Sequence, residues 1–214
     1  MILESKPLSK RNFRLLYWFL SLLFKGYFKK IIIKECSIRE GQSYLLLCNH
    51  FSFWDGFWGA YLMHRVFQRR NLMRKVYTLT LKKQMENHPW LQYLGCFSID
   101  PGKPTVIESI RYARKVIQTP GNILLVFPQG KLESSHVRTL QLEKGISSIA
   151  SKVHSPCQII WCSNITEYFE SSKPTLYMNL LDCGSVQDFN FEKLNREINL
   201  FHQNKLDEQI RNRL

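Results

Sequence analysis

Asn49-His50-Phe51-Ser52-Phe53-Trp54-Asp55 sets a histidine and an aspartate five positions apart, directly after the apolar run Tyr44-Leu45-Leu46-Leu47-Cys48. An imidazole beside a carboxylate is the pairing of a general base. The carboxylate fixes one tautomer and stabilises the protonated ring, so the other nitrogen can take a proton from a hydroxyl. On a continuous helix, residues five apart lie about 140° apart around the axis and do not meet. The pair therefore needs a turn. The apolar run reads as a buried strand, and a strand emptying into such a turn would set both groups at a sheet's edge. The same residues also admit a plainer arrangement, a surface histidine in a loop with Asp55 capping the following helix.

Two further turns stand at strand ends. Gly95-Cys96-Phe97-Ser98-Ile99-Asp100 precedes an amphipathic helix, and Phe127-Pro128-Gln129-Gly130-Lys131 follows the strand Ile123–Phe127. In the second turn Gly130 permits close backbone approach to a ligand, Gln129 offers both donor and acceptor, and Lys131 offers a positive charge. In α/β sheets ligands gather where such strand ends converge. Taken singly, each sequence is also an ordinary turn. His136, in the polar loop after Gly130, is a candidate for a minor part in substrate binding, whereas His64 and His88 have no acidic neighbour at a telling spacing. Phe51, Phe53, Trp54, Phe57 and Trp58 can line an apolar channel for a ligand or pack the first helix.

The elements that would hold these turns alternate between strand and helix. Lys30–Cys36 and Ser43–Cys48 read as strands joined by a turn at Glu40-Gly41-Gln42, followed by an apolar helix over Phe57–Phe67. Lys75–Leu81 alternates as a strand, Lys82–Asn87 is a polar helix, and Cys96–Ile99 is a short segment. Pro104–Gln118 is the clearest helix, with Val106, Ile110, Ala113 and Ile117 on one face and Arg111, Arg114 and Lys115 solvated. Thr105 with Glu108 matches a capping box at its start. Ile123–Phe127, Ile159–Cys162 and Leu176–Leu181 complete the strands, and Leu194, Ile198 and Phe201 mark a core-facing stripe in the tail. The expected fold is α/β, a single domain with a central, mostly parallel or mixed sheet flanked by helices.

At 214 residues, 44% hydrophobic and 22% charged, the chain can bury a substantial core. Its net charge of +13 calls for an anionic partner: nucleic acid, an anionic membrane surface, or a phosphorylated or acidic substrate. No RNA-binding aromatic signature or zinc knuckle is present, so nucleic acid is not expected. The run Leu15–Phe24, flanked by Lys10, Arg11, Arg14, Lys25, Lys29 and Lys30, is about half the length of a spanning helix. Its bulk and basic flanks suit an amphipathic helix lying in the headgroup region of an anionic leaflet, with packing on the protein's own core as the alternative. The chain thus divides into a membrane-contacting helix at 1–30 and a catalytic domain at 31–214. Six cysteines without a C-x-x-C pair read as reduced core thiols, which suits the cytoplasm. No histidine and cysteine spacing resembles a zinc site, so no metal is expected.

In order and spacing the three turns resemble the motif blocks of the glycerolipid acyltransferase family, which includes the 1-acylglycerol-3-phosphate acyltransferases. The first block, N-H-x-x-x-x-D, is matched by Asn49, His50 and Asp55. The second, roughly G-x-x-F-I-D-R, is matched in part by Gly95, Ile99 and Asp100, and the third, F-P-E-G-T-R, by Phe127, Pro128 and Gly130. The resemblance covers about Tyr44 to Cys162. It implies transfer of a fatty acyl group from acyl-CoA or acyl-carrier protein to a lysolipid hydroxyl, with no resident cofactor, on the cytoplasmic face of a membrane. His50 would be the base and Asp55 its support, while Asn49, Gly95, Ser98, Asp100, Lys103 and Phe127 to Lys131 would bind substrate.

The departures are as informative. The second block's arginine, expected to hold the acceptor's phosphate, is Pro101 here, with Lys103 the nearest cation in sequence. The third block's Glu, Thr and Arg are Gln129, Lys131 and Leu132. Two missing arginines remove bidentate phosphate recognition, which lysine replaces only as a point charge. The expected acceptor is therefore not simply lysophosphatidate but a lysolipid with another headgroup, or a hydroxyl on a glycosylated or specialised lipid, unless Lys131, Lys103 or Arg138 compensates. A second class of function, a degenerate or non-enzymatic basic binding protein, remains open at this stage.

Overall fold

A computed structural model describes residues 1–211; 212–214, the end of the expected catalytic unit, lie outside the described residues. Seven strands form one mixed sheet: β1 (Lys30–Lys34), β2 (Ser43–Cys48), β3 (Lys75–Leu81), β4 (Cys96–Ile99), β5 (Asn122–Val126), β6 (Cys157–Glu167) and β7 (Thr175–Ser185). Their order is β1-β7-β6-β2-β5-β3-β4. β6, β2, β5, β3 and β4 are mutually parallel, so the chain leaves all five at one edge. β7 runs antiparallel to β6, and β1 parallel to β7.

β2 is buried along its whole length because it is central and covered on both faces, which explains an apolar run without alternation. Tyr44, Leu46 and Cys48 face one core with Leu125 and Ile160, under α1 (Lys10–Tyr27) and α2 (Asp55–Met63). Leu45 and Leu47 face the other with Leu124 and Trp161. That face is covered by α4 (Val106–Ile117), α5 (Gly145–Ala150) and α6 (Phe191–Arg211). The short α3 (Lys82–Asn87) follows β3. The α6 stripe lies where expected, with Leu194 and Ile198 buried.

Several expectations need correction. β1 stops at Lys34 and pairs with β7, at the far edge from β2. β6 and β7 run well beyond their apolar centres, because their antiparallel pairing with each other continues to Glu167 and Thr175. α2 begins two residues early, at Asp55, and ends in a π-helical turn, His64–Gln68. The Thr105–Glu108 capping box does not form: the Thr105 side chain makes no capping bond. Arg114 is not free in solvent, because its Nε donates to the Ser148 carbonyl at 2.8 Å and ties α4 to α5. The six cysteines carry no disulfide, and four are buried.

α1 does pack on the protein's own core, burying Phe13, Leu20 and Phe24 beside α2. Each such side chain contributes about 1.5–3 kcal/mol, an upper figure because unfolded chains already bury some surface. Yet Leu15, Trp18, Phe19, Leu22 and Tyr27 on the same helix are exposed. The helix has two apolar faces, and the protein covers one.

Candidate active site

The site begins where β2 ends. Asn49 is buried, and its side chain copies one more rung of the ladder with β6. Its Nδ2 donates to the Asn164 carbonyl at 2.9 Å, and its Oδ1 accepts from the Asn164 amide at 2.7 Å. This pins the chain before it turns. The turn closes through the Asp55 amide to the Ser52 carbonyl at 3.2 Å, and the Trp54 amide to Ser52 Oγ at 3.2 Å.

Asp55, 1% exposed, opens α2, where the helix's unsatisfied N–H groups and dipole favour an anion. A single oxygen, Oδ2, takes three hydrogen bonds: from the Phe51 amide at 2.8 Å, the Ser52 amide at 2.9 Å and His50 Nδ1 at 2.8 Å. A carboxylate can only accept, so Nδ1 carries the proton and Nε2 holds the free lone pair. Of the two sequence arrangements, Asp55 thus combines both: it caps the turn and meets the imidazole. The His50 ring stacks on Phe127, centroids 4.4 Å apart, and its side chain is 24% exposed. Nε2 makes no hydrogen bond among the described residues.

β5 lies beside β2 and delivers the Phe127–Lys131 turn to the same place. Gln129 is buried; its Oε1 accepts from the His50 amide at 2.6 Å, and its Nε2 donates to Glu133. The Glu133 amide in turn donates to the His50 carbonyl at 3.0 Å. His50 is therefore held through both backbone groups, by Gln129 on one side and Glu133 on the other. Pro128 accepts from the Glu143 amide at 2.7 Å, and Gly130 has a φ of +68°, which a side chain would strain. Lys131 Nζ stands 3.5 Å from Glu133.

The second turn is elsewhere. β4 is three strands from β2, about 14 Å at the usual strand spacing. Gly95 serves the fold: its φ is +93°, and a Cβ there would sit 2.2 Å from the Val76 carbonyl oxygen. Ser98 is buried, with its Oγ accepting from the Leu3 amide at 2.7 Å, so it anchors the N-terminal segment. Asp100 and Lys103 join in a backbone turn at 3.2 Å, with Lys103 exposed. None of these four touches His50.

Sequence reasoning missed Glu133, whose place depends on a turn geometry that no local pattern reveals. It also missed the buried pair Ser163–His202, at 2.6 Å, where Nε2 of His202 reaches the Val137 carbonyl at 3.2 Å. His64 stacks on Tyr17 of α1, centroids 3.6 Å apart, and is structural. The aromatic residues divide: Trp58 and Phe51 pack together inside, while Phe53 and Trp54 are exposed. Among the described residues, no cluster of three His, Cys, Asp or Glu side chains could hold a metal ion.

Comparison with known proteins bears on this geometry. No curated protein matches the chain. Among solved structures, the 1-acyl-sn-glycerophosphate (LPA) acyltransferase PlsC from Thermotoga maritima matches with a TM-score of 0.63 over 93% of this chain and 80% of that one, at 11% identity. So low an identity speaks for the fold alone. A family model described as Acyltransferase matches residues 30–163, from β1 into β6. That span is more than half the chain and contains both turns that meet at His50, and on this ground the chain belongs to the acyltransferase family.

Proposed function

We propose that the protein moves a fatty acyl group from a thioester, acyl-CoA or acyl-carrier protein, to the hydroxyl of a lysolipid at a membrane surface. The observation that carries this reading is the His50–Asp55 contact, with Nδ1 committed to the carboxylate and Nε2 left free. Nε2 takes the acceptor's hydroxyl proton as the oxygen attacks the thioester carbonyl, and Asp55 stabilises the imidazolium. The tetrahedral intermediate collapses by expelling the thiolate, which receives the proton back from Nε2. Lys131 supplies a positive charge in the adjoining turn for the developing oxyanion. Gln129 and Glu133 keep the His50 backbone in place.

The acceptor reaches this site from the side of α1. Tyr27, at the exposed end of that helix, lines a hollow of about 220 Å³ together with Phe51, Ser52 and Trp58. The exposed apolar face of α1 and its flanking lysines and arginines suit an anionic leaflet. No helix among the described residues is long and apolar enough to cross a membrane. We place the enzyme peripherally, on the cytoplasmic face. With Pro101 and Leu132 where the family's arginines are expected, the acceptor's headgroup is other than a bare phosphate. Purified protein given a labelled acyl thioester and a panel of lysolipids should form diacyl product. Absence of product with every donor and acceptor would sink the reading, and lysophosphatidate as clear best acceptor would sink the headgroup statement.

A further inference from the structure

Beyond the hollow lined by Phe51 and Ser52, the two residues after His50, lies a larger one of about 400 Å³, between the loop after Lys131, the end of β6 and the end of α6. The two adjoin, with Ser135, Thr166 and Tyr168 lining both. The larger hollow is lined by ionisable groups of both kinds: Arg138 and His136 on the loop, Glu167 on β6. Apolar walls come from Ile165, Leu206 and Ile210. Asp207 stands outside the lining and holds Arg138 Nη1 at 3.4 Å.

The loop that carries Arg138 and His136 is braced from below. Val137, between them, accepts from His202 Nε2, so Nδ1 of that ring accepts from Ser163 Oγ–H, and both side chains are buried. This dyad has the atoms of a nucleophile and base but no access to substrate, and its work is to fix the loop. Burial pushes the Glu167 carboxyl above its ordinary value, while the charge of His136 pulls it down. Glu167 and His136 line the same hollow.

Resting on the acyl-transfer reading above, we propose that the Arg138–His136–Glu167 hollow is the headgroup site of a zwitterionic lysolipid. Its anionic group lies on Arg138 and His136, and its ammonium on Glu167. A guanidinium can hold a phosphodiester or carboxylate through two parallel donors, replacing in space what Pro101 and Leu132 remove in sequence. An isolated phosphate monoester would leave Glu167 facing a like charge, which disfavours it.

The test compares four acceptors of equal chain length in neutral mixed micelles: lysophosphatidylethanolamine, lysophosphatidylglycerol, lysophosphatidate and a monoacylglycerol. The ethanolamine lipid should have the highest kcat/KM, by about tenfold or more. Arg138→Gln should raise KM about tenfold for the phosphate-bearing acceptors with kcat little changed, and leave the monoacylglycerol unaffected. Glu167→Gln should abolish the preference for the ethanolamine over the glycerol headgroup. Binding of the same lipids to His50→Ala protein, by calorimetry, should keep the same order. Turnover without headgroup preference, or equal losses for all four acceptors, would overturn the headgroup site and leave acyl transfer standing. Selective binding without turnover by the wild type would do the reverse. Neither turnover nor selective binding would remove both.

Discussion

One carboxylate oxygen organises the turn proposed to carry catalysis. Because Asp55 Oδ2 serves two backbone amides as well as His50 Nδ1, Asp55→Asn would present a donor or a weaker acceptor to all three. The imidazole would lose its enforced tautomer, so kcat should fall about 10³–10⁴-fold, the scale seen when such a partner is removed elsewhere. Steady-state kinetics with the best acceptor measure it, and a change below tenfold would refute the role. The Gln129–Glu133 contact gives a second residue-scale expectation. Gln129→Glu sets two carboxylates against each other beneath His50 and should lower kcat. Adding Glu133→Gln restores one donor and one acceptor and should recover most of the loss, whereas independent, additive effects would show that the pair does not act together. His50 and Asp55 were legible in the sequence because they share one short turn. Glu133 was not, because a buried amide and a carboxylate met through a turn whose path the residue types do not specify. Gly95 was legible as part of a motif, but its work at β4 in holding the fold, shared with Ser98, was not.

At the level of elements, two buried imidazoles join helices to the rest. His64 stacks α1 on the π-helical turn after α2, and His202 links α6 to β6 and the Arg138 loop. Burial is the largest cause that holds both below the ordinary histidine value of 6.5. The unfolded chain then binds these protons more readily than the folded one. Stability from the neutral rings is complete above pH 6.5 and is lost as pH falls through 6.5 toward the lower folded values. The melting temperature should decline between pH 7.5 and 5.5, and His202→Gln should flatten that slope even if it lowers stability throughout. An unchanged slope in the variant would contradict this assignment. Strands buried on both faces, such as β2 and β5, announced themselves by unbroken apolar runs. The partner of β1, the reach of β6 and β7, and α5 did not. The first two depend on pairing between distant segments, and Gly145-Ile146-Ser147-Ser148 has too little apolar periodicity to mark a helix.

For the molecule as a whole, the proposed membrane contact rests on the +13 charge together with the uncovered face of α1. Binding to vesicles containing anionic lipid should exceed binding to neutral vesicles and weaken with added salt. Replacing Trp18, Phe19 and Leu22 together with serine should cut vesicle binding at least tenfold while melting changes little, since none of the three is buried. Equal binding by the variant would mean that another surface meets the lipid. The α/β class followed from alternation of strands and helices, but the single core shared by α1 and the sheet did not. A helix with two apolar faces reads the same whether one or both meet lipid. The most direct test of the account is acyl transfer by His50→Ala, measured on protein that still folds and still binds anionic vesicles. The account predicts a loss of about a thousandfold or more with vesicle binding unchanged; transfer near the wild-type rate would contradict it.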